Sequence, residues 1–127
     1  MAKRLLQKDI PLDAFISSPA LRALTTCTYF AKVYGKKDKE IITYPELYNA
    51  APQAFSKVIK NTDDAFDNIA LFAHNPGITD FANSLTNVRI DDMPTCGIFA
   101  VKADITHWKD FEKATKEFLF FDYPKNG

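Results

Sequence analysis

The chain has 127 residues, 46% of them hydrophobic, and its 16 basic and 16 acidic side chains cancel to a formal net charge of zero. That is the length of one domain with enough apolar material for a core, so residues 1–127 are expected to form a single domain, and no one-signed field drives it toward nucleic acid or a membrane surface. No apolar run reaches the roughly 18–20 residues of a membrane helix, the start Met1-Ala-Lys-Arg-Leu-Leu-Gln-Lys-Asp9 has no signal-peptide core, and two distant cysteines fit a reduced, cytoplasmic setting.

Residues 1–9 read as the tail of a helix with Met1, Ala2, Leu5 and Leu6 on one side. Nothing caps its start, and Lys3 and Arg4 carry the wrong sign for a helix N-terminus, which fits either a frayed start or a helix that begins upstream of Met1. Pro11 ends it. Leu12–Ile16 reads as a short strand. Ser17-Ser18-Pro19 then leads to a helix, with Ser18 as N-cap and Pro19 as first residue. Ala20, Leu24, Cys27, Ala31 and Tyr34 form its apolar stripe, and Gly35 closes it. Cys27 lies on that stripe, which assigns it to packing rather than to reactivity.

Lys36–Glu40 is a charged loop and Glu40–Tyr44 a strand. Pro45-Glu46-Leu47-Tyr48 leads to a third helix with Ala51, Ala54, Phe55, Val58 and Ile59 on one face, ended by the polar loop Asn61–Asp64. Ile69-Ala-Leu-Phe-Ala73 follows, an unbroken apolar run bounded by breakers, which predicts a strand buried on both faces. It runs into His74-Asn75-Pro76-Gly77. Ile78, Phe81, Ala82 and Leu85 have helical spacing, predicting a helix over 76–86 with Asn75 as N-cap and Pro76 as first residue. A turn region from Asn87 to Pro94 carries Asp91 and Asp92. Gly97–Val101 and Glu117–Tyr123 read as strands, and Trp108–Lys116 before the second is compatible with a helix. The alternation of strands and helices, then two strands in succession, is an α/β pattern with an antiparallel edge.

Two strand-to-helix junctions carry the chemistry. Each offers free amide N–H groups and the positive end of a helix dipole, which suits an anion, and in open α/β sheets ligands bind at that end of the strands. At the first, Arg22 lies about 200° around the helix from Leu24, off the core stripe, where it can lean back and grip a phosphate with a bidentate fork. At the second, His74 can hydrogen-bond the same anion. The only other histidine, His107, reads as a surface residue, and no Cys/His spacing suggests a metal site.

Phe15-Ile16-Ser17-Ser18-Pro19-Ala20-Leu21-Arg22-Ala23 resembles the second signature of the histidine phosphatase superfamily, the phosphoglycerate-mutase-like fold. Phe72-Ala73-His74-Asn75-Pro76-Gly77-Ile78 resembles the later histidine signature of its phosphohistidine phosphatase branch. Pro45-Glu46-Leu47-Tyr48, Met93-Pro94-Thr95-Cys96-Gly97 and Tyr123-Pro124-Lys125 are similar to that branch too. The resemblance spans nearly the whole chain in order. It implies a three-layer α/β fold, a mostly parallel sheet with helices on both faces and an antiparallel edge.

It also implies phosphoryl transfer without a metal or other cofactor. A histidine in an Arg-His-Gly strand end attacks phosphorus, cationic and N–H donors hold the equatorial oxygens, and water releases the phosphate. Arg22 and His74 match the arginine and second histidine that contact the phosphoryl group, and His74 would also act catalytically by assisting its transfer. Ser18 and Asn75 are further candidates, each also explained as a cap. Ser17 is a candidate to support or cap the site, and Asp80, Asp91 and Asp92 are candidate proton donors by location alone. The substrate would be a phosphorylated protein or small phosphorylated molecule.

No Arg-His-Gly occurs in these residues. In the family it ends the first, central strand, beside the strand that leads to the second histidine. That strand is therefore expected to lie outside this chain, leaving an apolar strand edge to be filled by a rearranged sheet or by a second copy of the chain. Two readings stand: a hydrolase whose nucleophile is missing from these residues, or a non-catalytic domain that keeps the anion pocket.

Overall fold

A computed structural model describes residues 1–94 and 96–124; Thr95 and Lys125, positions in two of the quoted motifs, lie outside the described residues. The chain divides into two compact units. One is Met1–Tyr48 with Ala65–His74, and the other is Asn49–Asp64 with the chain from Asn75 on. Helices and strands, numbered in chain order, are α1 (Ala2–Gln7), β1 (Ala14–Ser17), α2 (Leu21–Val33), β2 (Ile42–Thr43), α3 (Pro52–Lys60), β3 (Ile69–Phe72), α4 (Gly77–Leu85), β4 (Ile98–Ala103) and β5 (Lys116–Asp122). Among the described residues no helix is long and apolar enough to cross a membrane.

The first unit is a parallel sheet in the order β2-β1-β3. Ile16 and Ser17 pair with Ile42 and Thr43 on one side, and Ala14–Ser17 pair with Ile69–Phe72 on the other. β1 is sealed: Phe15 is 2% exposed and Ile16 1%. The Phe15 ring lies 5.8 Å from Tyr34 and 6.4 Å from Phe72, and Phe30 meets Phe72 edge to face at 5.3 Å. α2 covers the sheet with Ala23, Cys27, Phe30 and Ala31. Its buried stripe is rotated from the expected one, because Ala20 precedes the helix and Leu24 is only half-buried. Burial in this apolar setting pushes the Cys27 thiol up to about 12, as expected of a packing residue.

Gly35 stops α2 with φ +78°, its N–H bonding Lys32 O at 3.0 Å and the Lys36 N–H bonding Ala31 O at 2.8 Å. That pair is a Schellman closure, which needs a left-handed residue. α1 buries Ala2 and Leu5, while Leu6, expected on the same side, is 46% exposed.

β3 departs from its prediction. All four of its residues are half-buried rather than sealed on both faces. The reason is its place in the sheet: among the described residues β3 is a terminal strand, paired with β1 alone. The predicted strand Glu40–Tyr44 shrinks to Ile42–Thr43, because a 3-10 turn occupies Asp38–Glu40 and another occupies Pro45–Leu47.

In the second unit, α3 buries Phe55, Val58 and Ile59 as expected. Phe55 stacks on Phe81 of α4 at 4.9 Å. α4 buries Gly77, Thr79, Phe81 and Ala82, with Ile78 and Leu85 half-buried. Gly77 opens α4 hard against the backbone oxygen of Ala50, in a space no Cβ fits. β4 and β5 pair antiparallel from Ile98↔Asp122 to Ala103↔Lys116, with a bulge that leaves Leu119 outside the register and 50% exposed. The expected single sheet with an antiparallel edge is thus two sheets, one parallel and one antiparallel. The stretch before β5 forms one 3-10 turn, Trp108–Asp110, not a longer helix.

Candidate functional site

Register brings the two junctions together at one end of the parallel sheet. Ser17 stands opposite Phe72, the last residue of β3, and the Ser18 N–H extends the ladder to Phe72 O at 2.9 Å. On the other side the Tyr44 N–H reaches Ser17 O at 3.1 Å. The C-terminal ends of β2, β1 and β3 are therefore level, the location where open parallel sheets bind ligands.

After β1 the chain makes a short elbow into α2. Ser17 and Ser18 are fully buried there. The Ser17 hydroxyl donates to Ser18 O at 2.8 Å, and Ser18 Oγ accepts the Ala20 N–H at 3.1 Å. Ser18 was expected to be the N-cap itself. Instead α2 starts at Leu21, with Ala20 in the cap position, and Ser18 closes the turn before it. Among the described residues no side chain caps α2, and no acidic residue sits in its first turn. Its leading amides and the positive end of its dipole therefore face no such compensating side chain. Arg22 is exposed on that first turn, and among the described residues its guanidinium bonds no partner.

His74 follows β3 by two residues and is half-buried. Its ring meets Tyr48 edge to face, centroids 5.8 Å apart and planes at 74°. Tyr48 comes from the far side of the sheet, just after the 3-10 turn that follows β2. The sequence reading included Tyr48 only within a motif and gave it no role. The signal that would have found it is spatial: β2 and β3 flank β1, a pairing order that one sequence does not display.

Asn75 belongs to the second unit. Its Nδ2 donates to Met93 O at 3.0 Å and its Oδ1 accepts the Thr79 hydroxyl, which in turn accepts the Met93 N–H at 2.9 Å. The expected N-cap role is not what is found: Asn75 fastens the loop around Met93 to the first turn of α4, and Pro76 stands in the cap position. Asp80, Asp91 and Asp92 are all exposed. His107 is a surface residue as expected, its Nδ1 2.9 Å from Asp64 Oδ2. The Trp108 N–H also bonds Asp64, at 2.8 Å, and these two contacts, the backbone one first, hold the Asp64 carboxyl below its usual range.

Among the described residues no group of three or more His, Cys, Asp and Glu side chains is gathered as a metal site would require. The second unit contains a half-open depression of about 280 Å³ lined by Pro52, Ser56, Phe81, Phe111 and Lys116, among others. None of its lining residues is one of the sequence-predicted site residues.

No protein-family model matches the chain, and a search of curated proteins gives no match. Among solved structures, one described as a phosphohistidine phosphatase SixA from Nakamurella multipartitia superposes with a TM-score of 0.75 at 14% identity, covering 98% of this chain and 78% of that one. At that identity the likeness establishes architecture: this chain has the mixed α/β fold of the SixA structure, with a parallel three-stranded sheet and an antiparallel pair.

Proposed function

We propose that the domain binds a phosphoryl group at the C-terminal end of its parallel sheet and belongs functionally with the histidine phosphatases. The observation that carries this is the unpartnered Arg22 on the uncapped first turn of α2, with His74 at the level end of the adjacent strand. Free amides, a helix dipole and a guanidinium fork supply donors for a tetrahedral dianion without a metal. His74 adds an imidazole N–H to the same oxygens. The description of the SixA structure as a phosphohistidine phosphatase supports the same class of ligand, a phosphorylated protein or small phosphorylated molecule.

Hydrolysis needs one more group. A nucleophilic imidazole nitrogen must bond to phosphorus as the leaving-group bond breaks, and water must then cleave the phosphorus–nitrogen bond. The sequence holds no Arg-His-Gly, and of its two histidines, we assign His74 to phosphate contact, while His107 pairs with Asp64. The nucleophile is therefore assigned outside these residues. The same observation favours a second reading, a non-catalytic phosphoryl-binding domain. Chromogenic phosphomonoester hydrolysis by the 127-residue chain and by a version carrying an added N-terminal Arg-His-Gly strand separates the two. Turnover only in the longer protein supports the hydrolase, and none in either supports binding alone. Turnover by the 127-residue chain that Arg22→Ala leaves unchanged would refute both.

Among the described residues β3 pairs on one side alone, which goes with this reading. Its four half-buried apolar residues suit a further parallel strand, and a second copy of the chain is the occupant we assign in its absence. Light scattering across a concentration series tests this; a monomer throughout would refute it.

A further inference from the structure

The depression in the second unit lies wholly inside that unit, between the first turn of α3, the last turns of α4 and the segment that leads into β5. Two rings supply most of its apolar character. Phe81 and Phe111 are both buried, and Phe81 is braced by its stack on Phe55. The wall that carries Phe111 is pre-formed: Asp64, just beyond α3, accepts the Trp108 N–H at 2.8 Å, and turn bonds hold Phe111 and Ala114 in succession. Two charged residues, Lys116 and Glu112, share this lining. The Lys116 ammonium donates to Glu112 O at 2.8 Å and lies 4.8 Å from the Phe111 ring centroid, a cation–π contact. Among the described residues it meets no carboxylate at ion-pair distance, and the Glu112 carboxylate meets no cation. Desolvation pulls the Lys116 pKa below the ordinary lysine range, against the Glu112 charge. Ligand pockets combine a mostly apolar lining with a few placed polar groups and span roughly 300–1,000 Å³. At about 280 Å³ this one suits a monomer rather than a polymer.

These features define the chemistry of an occupant. The rings call for an aromatic or large aliphatic group. The ammonium, partly stripped of water and with N–H donors to spare, calls for a carboxylate. A ligand bearing only that anion would face the Glu112 charge, and one bearing only a cation would face Lys116. A molecule of both signs satisfies both. Because the Lys116 Nζ touches the Glu112 backbone, the two charges stand within a side chain's reach of each other, as suits an ammonium and a carboxylate on the same carbon. A peptide end carries only one of the two. We propose that this depression binds a free α-amino acid with an aromatic or large aliphatic side chain, its carboxylate on Lys116, its ammonium on Glu112 and its side chain on Phe81 and Phe111. Ser56, half-buried on α3 and with no side-chain hydrogen bond among the described residues, offers its hydroxyl to the carboxylate. The site shares no residue with the phosphoryl site and does not rest on it.

The test follows backbone amides by NMR in the full chain while L-phenylalanine is added. Hydrocinnamate, which lacks the ammonium, and phenethylamine, which lacks the carboxylate, are compared on the same wild-type protein. L-Phenylalanine should shift the amides of Ser56, Phe81 and Phe111 saturably. Phenethylamine should bind about ten-fold or more weakly, the loss of a contact to a partly desolvated charge. Hydrocinnamate should bind about two- to five-fold more weakly, in keeping with an exposed carboxylate. Lys116→Met, which keeps the apolar stem, should reproduce the first loss, and Glu112→Gln the second. No saturable shift in wild type, or shifts centred on residues of the first unit, overturns the proposal. Hydrocinnamate or phenethylamine binding as tightly as L-phenylalanine overturns it too, and neither comparison depends on a variant that must fold. An affinity unchanged in Lys116→Met has the same force.

Discussion

β1 and β3 are neighbours in one sheet, each four residues long and almost wholly apolar, yet β1 is sealed and β3 is half open. Residue type does not separate Ala-Phe-Ile-Ser from Ile-Ala-Leu-Phe. Pairing does: among the described residues β1 has a strand on each side and β3 has one. The segments that follow differ in the same sense. Beyond β1 the two serines are fully buried and bonded to nearby backbone, which makes a rigid elbow. Beyond β3 the chain carries a half-buried imidazole that meets, among other groups, the ring of Tyr48 edge to face.

The largest effect expected from this contrast is on stability. Phe15→Ala should cost about 3–5 kcal/mol, the range for emptying a sealed aromatic site. Leu71→Ala on β3 should cost about half as much, because its side chain is already partly in water. Denaturant midpoints with matched slopes measure both, and equal losses would break the comparison. Next comes Arg22→Ala. It should weaken phosphate binding by about ten-fold or more, in line with one charge-assisted contact, and shift stability by less than about 0.5 kcal/mol. Titration calorimetry with inorganic phosphate reads the first and thermal melting the second.

Ser18→Ala sharpens the contrast on the β1 side. It should cost about 1 kcal/mol, since the Ala20 N–H loses its acceptor within a buried turn. The smallest effect lies away from both strands. Folding favours ionised Asp64, whose carboxyl is held down first by the Trp108 N–H and then by His107. Its contribution is therefore complete above the ordinary aspartate range and fades as pH falls through the lowered value. Asp64→Asn should lower the melting temperature slightly at neutral pH and match wild type at the acid end. A difference that grows toward acid would reverse the sign assigned here.

Helices with a strong apolar stripe were legible in the sequence. Phe55, Val58 and Ile59 mark α3, and Phe81 and Ala82 mark α4, because helical periodicity is a local property. Helix starts were less so. Ser18 and Asn75 are good caps by type, but each side chain found another use, closing a turn in one case and fastening a distant loop in the other. The burial of β3 was misread because an apolar run looks the same in a central and a terminal strand. Arg22 and His74 were picked out as residues able to hold an anion. Tyr48 was not, since its partner is brought to it by sheet order, a property of the whole fold.

The tight opening of α4 has a consequence for how the His-Asn-Pro-Gly segment is interpreted. A glycine in such a motif invites the idea that backbone must come close to a ligand. Here the neighbouring Ala50 carbonyl already forbids any side chain at position 77. Randomising residue 77 and selecting only for a folded product should therefore return glycine with no phosphate present. Agreement among sequences at that glycine would record the shape of the packed interior.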